Sequence, residues 1–176
     1  MRARCTLVCE GMKSPGTDVA EVWGVLVLRA TRARLYEMLT ARLHASLDEA
    51  TYPVLSGLAR VGPVSSAELA DRIGLDRSVV SRHAARLCRA KLVARKPDPE
   101  DRRAVLLLLT APGRRVVRAM RQRLARILDD HFDTWPPGEA RRFAANFRKL
   151  VEEGPFGTTP AVVTVRQGAR AQRNPR

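Results

Sequence analysis

Hydrophobic positions along the chain form a succession of helical stripes, interrupted once by a pair of short alternating runs. Between residues 19 and 50, Leu35, Leu39, Leu43 and Leu47 recur at four-residue spacing, with Leu28 one heptad before Leu35. That spacing lays an apolar stripe along one side of a helix and predicts a single long helix over 19–50. Tyr52-Pro53 marks a new start, because proline suits the first turn of a helix. Val54, Leu55 and Leu58 then predict a short apolar helix that ends before Gly62-Pro63. Ahead of these elements, residues 1–18 hold Gly11 and Ser14-Pro15-Gly16 without sustained periodicity and read as a flexible arm.

The punctuation tightens after Pro63. Ser65 and Glu68 have capping-box spacing, in which a hydroxyl and a carboxylate satisfy two orphan helix amides. Leu69 and Ile73 point that helix inward, and Gly74 is placed to end it. Asp76 is an N-cap candidate for a helix from Arg77 to about Ala90. Its inward side is Val80, Ala84 and Leu87, and its outer side shows Ser78, Ser81, Arg82 and Ala85. Residues 93–96 and 104–109 read as strands around the charged, turn-rich loop 97–103, which makes a β-hairpin. Thr110 can cap a further helix, along which Val117, Met120, Leu124, Ile127, Leu128, Phe132 and Trp135 recur at heptad-like spacing. Pro136-Pro137-Gly138 stops it, and Ala140, Phe143, Phe147, Leu150 and Val151 form a last amphipathic helix. Residues 154–176 carry four arginines and no acid and read as a disordered basic tail.

Composition narrows the function. The 176 residues suit one compact domain with attached arms. A net charge of +14 and a pI near 11.3 favour a polyanionic partner, nucleic acid before an anionic membrane surface. The charge is spread along the chain: residues 51–110 hold 11 basic and 6 acidic side chains, so less than half of the excess lies there. The longest apolar runs, 25–28 and 105–109, are far below the roughly 20 residues of a membrane span. No apolar stretch follows the basic first residues, so no secretory signal is expected and the cytoplasm is the default compartment. Cys5, Cys9 and Cys88 make no disulfide framework. His44, His83 and His131 lie far apart, with neither His-x-x-x-His nor Cys-x-x-Cys, so no metal or other cofactor is expected. Ser, His and Asp occur without a Gly-x-Ser-x-Gly, phosphate-loop or paired-carboxylate motif, so the chain reads as no enzyme.

Two short helices joined by a Gly-containing turn, the second capped and polar on its outer face, make a helix-turn-helix. The first helix must bury small apolar residues so that the second projects, and the second must offer short donors and arginine to base edges. The hairpin that follows, tipped by Arg102 and Arg103, is a wing whose arginine can enter a narrow minor groove. The expected fold is therefore mainly α with a small β-hairpin wing. A winged helix-turn-helix over 51–110 sits between the helix at 19–50 and helices within 111–153.

Leu75-Asp76-Arg77-Ser78-Val79-Val80-Ser81-Arg82-His83, Leu87, Leu92-Val93, Asp98-Pro99-Glu100-Asp101-Arg102-Arg103-Ala104 and Leu107-Leu108-Leu109-Thr110-Ala111-Pro112-Gly113 strongly resemble the MarR family of winged helix-turn-helix regulators. The Asp-Arg-Arg of the wing, running into a Leu-rich strand and Leu-Thr-x-x-Gly, is the most specific part. The resemblance spans about residues 21–153. It implies a homodimer with interleaved terminal helices at 19–50 and 111–153, binding a pseudo-palindromic site on double-stranded DNA. It also implies repression, with release by a small-molecule effector or an oxidant. Residue by residue, Arg77, Ser78, Ser81 and Arg82 match the recognition-helix face, and Arg103 the wing-tip arginine. Asp101 matches the acid that orients arginines of the wing. Arg102 and Arg103 are both DNA-binding candidates: one reaches the groove, Arg103 being favoured by the resemblance, and the other could pair with Asp98 or Asp101. Val79 stands where Thr is frequent, Ala85 where a polar residue is common, and Lys91 where Gly is frequent.

Cys5 and Cys9 are four residues apart, near Arg2 and Arg4, and are the redox candidates, since nearby cations lower a thiol pKa. Trp23, Tyr36, Met38, Tyr52, Met120 and Trp135 could line an effector pocket, although aromatic residues on helices more often build a core or an interface. Two other readings remain: a non-specific basic DNA-binding protein, and a helical protein-interaction subunit.

Overall fold

The computed structural model describes residues 14–99, 101 and 104–154. Its first helix, α1 (Pro15–Val27), opens where Ser14 Oγ accepts from the Thr17 amide and proline occupies the first turn. The helix thus begins inside the stretch expected to be an arm. The single helix expected over 19–50 is instead two. Leu28 takes an extended conformation, closing α1 and opening α2 (Arg29–Thr40). Its amide reaches back to the Val25 carbonyl, and its own carbonyl accepts from Arg32.

The second helix ends at Thr40, ten residues short of the expected boundary. Arg42 adopts a left-handed φ of 57°. Residues 41–51 then run as turns, held by Leu43 N–H to the Thr40 carbonyl and Leu47 N–H to the His44 carbonyl. Leu47 is nevertheless buried, and Leu43 packs against the same core. The leucine spacing thus marked Leu39, Leu43 and Leu47 as inward, although turns rather than a helix deliver the last two, while Leu28 is exposed.

Beyond this come α3 (Tyr52–Val61), β1 (Val64–Ser65), α4 (Ser66–Ile73), α5 (Arg77–Arg89), β2 (Val93–Pro97), β3 (Val105–Leu109), α6 (Ala111–Phe132) and α7 (Glu139–Glu152). The expected hairpin is present. A further two-residue strand, β1, adds to it, giving an antiparallel sheet of order β1-β3-β2. Val64 pairs with Leu107, while Val93 pairs with Leu109 and Lys96 with Leu106. One core joins α3, α4, α5, the root of the sheet and α6 through Leu55, Leu69, Val80, Leu87, Leu107 and Val117.

The chain forms two compact units, Met1–Ile127 and Leu128–Arg176. The first part of α6 therefore belongs with the helix-turn-helix, since Val117 and Met120 are core residues. The second unit holds an aromatic ladder: Phe132 and Trp135 meet edge-on at 5.0 Å, Trp135 meets Phe143 at 5.4 Å, and Phe143 stacks on Phe147 at 5.7 Å. Among the described residues no helix is long and apolar enough to cross a membrane.

Candidate nucleic-acid interface

The helix pair α4–α5 is built by its caps. Ser65 Oγ accepts from the Glu68 amide at 3.2 Å and starts α4, as the sequence predicts. The Glu68 carboxylate turns forward to Arg72 at 2.8 Å, so the expected reciprocal cap gives way to an ion pair along the helix. Gly74 then takes φ 64° and ψ 40°, a conformation that a β-carbon opposes. This lets the Leu75 amide return to the Ala70 carbonyl and reverses the chain within one residue. Asp76 Oδ1 accepts from the Ser78 amide at 2.7 Å and opens α5. The Ser78 hydroxyl and amide hold the Asp76 carboxyl below its ordinary pKa, so it caps as an anion.

Val80, Ala84 and Leu87 lie on the inner side of α5, each fully buried. Arg77, Ser78 and Arg82 are exposed and Ser81 is half-buried. Helical periodicity puts Ser78, Ser81, Arg82 and Ala85 on one outward stripe. The same stripe reaches exposed Arg89, seven residues after Arg82, which sequence reasoning left out although the spacing alone could have found it. His83 lies beside this stripe with its pKa lowered. Burial is the main cause, with Arg82 and Arg86 adding to it and Asp48 opposing. Cys88 is a half-buried free thiol packed against the core.

The far end of α5 is tied to the wing and to α6. Lys91 stands at φ 58°, doing the work of the glycine that the resemblance leads one to expect there. The Leu92 amide returns to the Leu87 carbonyl. Thr110 Oγ1 donates toward the Lys91 carbonyl at 2.7 Å and accepts from the Gly113 amide at 3.1 Å, which makes it the cap of α6. Gly113 lies so close to this junction that a β-carbon there would stand 2.0 Å from the Leu92 carbonyl oxygen.

In the wing, Asp98 N–H to the Ala104 carbonyl and Ala104 N–H to the Asp101 carbonyl close the base of the loop. Asp101 is exposed, and so are Arg95 and Lys96, which extend the basic surface along β2. Arg102 and Arg103 lie outside the described residues, as do Cys5 and Cys9. A cavity of about 450 Å³ opens between α3, β3 and α6. Leu58, Leu109 and Val117 line it together with Arg114, Arg118 and Arg121. Tyr36 and Tyr52, both effector-pocket candidates, stack on each other at 4.3 Å, and Tyr36 also lines a smaller cavity of about 270 Å³ with Arg29 and Arg32.

A capped two-helix reader followed by a two-stranded wing defines a winged helix-turn-helix protein. Comparison with known proteins narrows the class. Residues 46–104 match the model of the MarR family. The chain is 30% identical to the uncharacterized HTH-type transcriptional regulator YxaD of Bacillus subtilis over 105 residues, 60% of this chain and 73% of that one. It is 27% identical to the HTH-type transcriptional repressor NicR of Pseudomonas putida over 135 residues, 77% of this chain and 85% of that one. The crystal structure of RV1404 from Mycobacterium tuberculosis superposes with a TM-score of 0.60 at 25% identity, covering 82% of this chain and 97% of that one. The chain belongs to the MarR family, DNA-binding regulators of transcription.

Proposed function

We propose that the protein is a homodimeric repressor that reads a two-fold-symmetric DNA site and is released by a small molecule. The observation that carries the reading is α5 itself. Its inner face is sealed by Val80, Ala84 and Leu87, while Ser78, Ser81 and Arg82 project outward from a capped N-terminus. Short hydroxyls and one arginine on such a face suit major-groove edges, with Arg82 matched to the O6 and N7 acceptors of guanine. Arg77 and the other basic residues dock phosphates and set register. Arg103, oriented through Asp101, would sense minor-groove shape, and Arg102 would stay with the acids of the wing.

The similarity to NicR, a repressor by name, supports repression. Apolar side chains left exposed on α1 and α7, among them Val22, Leu26, Phe143 and Phe147, support helices at both ends of the chain that pack against a second copy. The cavity lined by Arg114, Arg118 and Arg121 suits an apolar organic anion as effector. Redox sensing at Cys5 and Cys9 would be a second input. Such a regulator acts on the chromosome and therefore in the cytoplasm.

The test is selection of bound duplexes from a randomised pool, followed by affinity measurement on the selected and a scrambled duplex. A sequence reader binds the selected duplex about a thousandfold or more tighter. Arg82→Ala should then weaken it by about 1–3 kcal/mol per half-site and relax preference at one position. Equal wild-type affinity for both duplexes would make the protein a non-specific DNA binder, and a dimer that binds neither would make it an interaction subunit.

A further inference from the structure

The reading helix is also gripped by a residue from a distant part of the chain. Arg86 stands one turn beyond Arg82 on α5, and its Nη1 donates to Oδ2 of Asp48 in the 41–51 turn segment. The other oxygen of Asp48 accepts from the Thr51 amide and the Thr51 hydroxyl, both at 2.9 Å. Thr51 is fully buried, and its carbonyl accepts from Leu55 within α3. One carboxylate thus opens α3 with one oxygen and holds α5 with the other.

The opposite end of the same turn segment is held by α6. Arg123 Nη1 donates to the carbonyls of Ala41 at 2.7 Å, Met38 at 3.0 Å and Leu39 at 3.4 Å. These are the exposed carbonyl ends of α2, where a helix carries partial negative charge and a guanidinium fits well. Residues 41–51 are therefore fastened to α6 at one end and to α5 at the other.

Stability does not explain the Asp48–Arg86 pair. Both side chains are more than a third exposed, and ion pairs of that kind contribute little to folding. A carboxylate beside a DNA-reading helix also repels the phosphates that the helix must approach. What the structure shows is a connection: the pair joins Arg86 on α5 to the start of α3 through Asp48 and Thr51, and it engages the Arg86 guanidinium.

We propose that Asp48 and Arg86 are positioning residues for sequence reading. The pair sets the angle at which Ser78, Ser81 and Arg82 meet base edges. This inference rests on α5 being the reading helix. A direct hydrogen-bonded contact discriminates bases only at good geometry, so a small rotation lowers discrimination before it lowers phosphate contact.

Anisotropy titrations over a KCl series test it, using full-length protein with the duplex selected by wild type and a scrambled duplex of equal composition. Asp48→Asn keeps an acceptor for Thr51 but drops the charge. It should lower the selected-to-scrambled affinity ratio about tenfold or more. Scrambled-duplex affinity should hold or rise, because Arg86 is freed. Arg86→Gln should lower the ratio similarly, and the double variant should be no worse than either single one, as expected for one shared interaction. Thermal melts of each variant establish that it is folded. An unchanged ratio in folded Asp48→Asn overturns the proposal, and so do losses that add in the double variant. If Arg86→Gln lowers the salt slope on scrambled DNA by about one, Arg86 is a phosphate contact and the proposal fails. If wild type does not distinguish the duplexes, the reading of α5 fails first, which is a separate result.

Discussion

Lys91 holds a left-handed backbone that glycine adopts freely. Lys91→Gly should therefore raise stability by about 0.5–1 kcal/mol in urea unfolding, whereas Lys91→Ala, which keeps the β-carbon, should not. The sequence already marked this position, because a lysine stood where the resemblance led one to expect glycine. The titrating groups next to α5 were not legible in this way. Partial burial pushes the Asp48 carboxyl up, but the Thr51 amide, the Arg86 guanidinium and the Thr51 hydroxyl outweigh it, and its pKa lies below the ordinary 3.8. The pKa of His83 lies below its ordinary 6.5, chiefly through burial. Both groups bind protons more weakly folded than unfolded, so their contributions are present above the unfolded pKa and are lost on acidification. Stability should fall in two steps, the first as pH drops below 6.5 and the second below 3.8. Urea midpoints measured against pH should show both, and His83→Gln should remove only the first.

Elements whose ends are set by neighbouring residues were legible; those set from a distance were not. Ser65, Gly74, Asp76 and Thr110 sit within a few residues of the helix ends they define, and α4, α5 and the start of α6 follow the expected pattern. The second helix ends under Arg123, a side chain more than eighty residues away, and no local pattern announces that. The two-residue β1 was missed because its identity as a strand lies in its pairing with Leu106 and Leu107, not in its own composition. The knot around Thr110 gives a sharp test. Gly113→Ala would drive a methyl group into the Leu92 carbonyl, a rigid backbone atom that Thr110 already holds. The expected loss is about 1–3 kcal/mol by urea unfolding. Ala119→Gly, on the same helix away from the knot, should cost about 1 kcal/mol or less.

Among the described residues, most of the exposed large apolar side chains lie on α1 and α7, and that concentration is the physical basis for proposing a dimer. Val22→Asp and Leu26→Asp each place a charge on an exposed apolar side chain of α1, so the folded monomer should tolerate them. In sedimentation runs each should shift the protein toward monomer and weaken binding to the selected duplex. A wild-type monomer at micromolar concentration would remove the premise. The fold class was legible because periodicity, caps and turn residues agreed with one another, and the outward stripe of the reader followed from it. The Asp48–Arg86 pair was not, since residues 38 apart meet only once the chain is folded. Bulk charge was the weakest guide, because most of the +14 lies outside residues 51–110. The wing adds a mechanical consequence. Val93 and Leu107 bury its root, while Arg95, Lys96 and Pro97 stand clear of the core. A beam clamped at one end deflects most at the other, so a load applied at Lys96 or Pro97 would strain the core less than the same load applied at Val93.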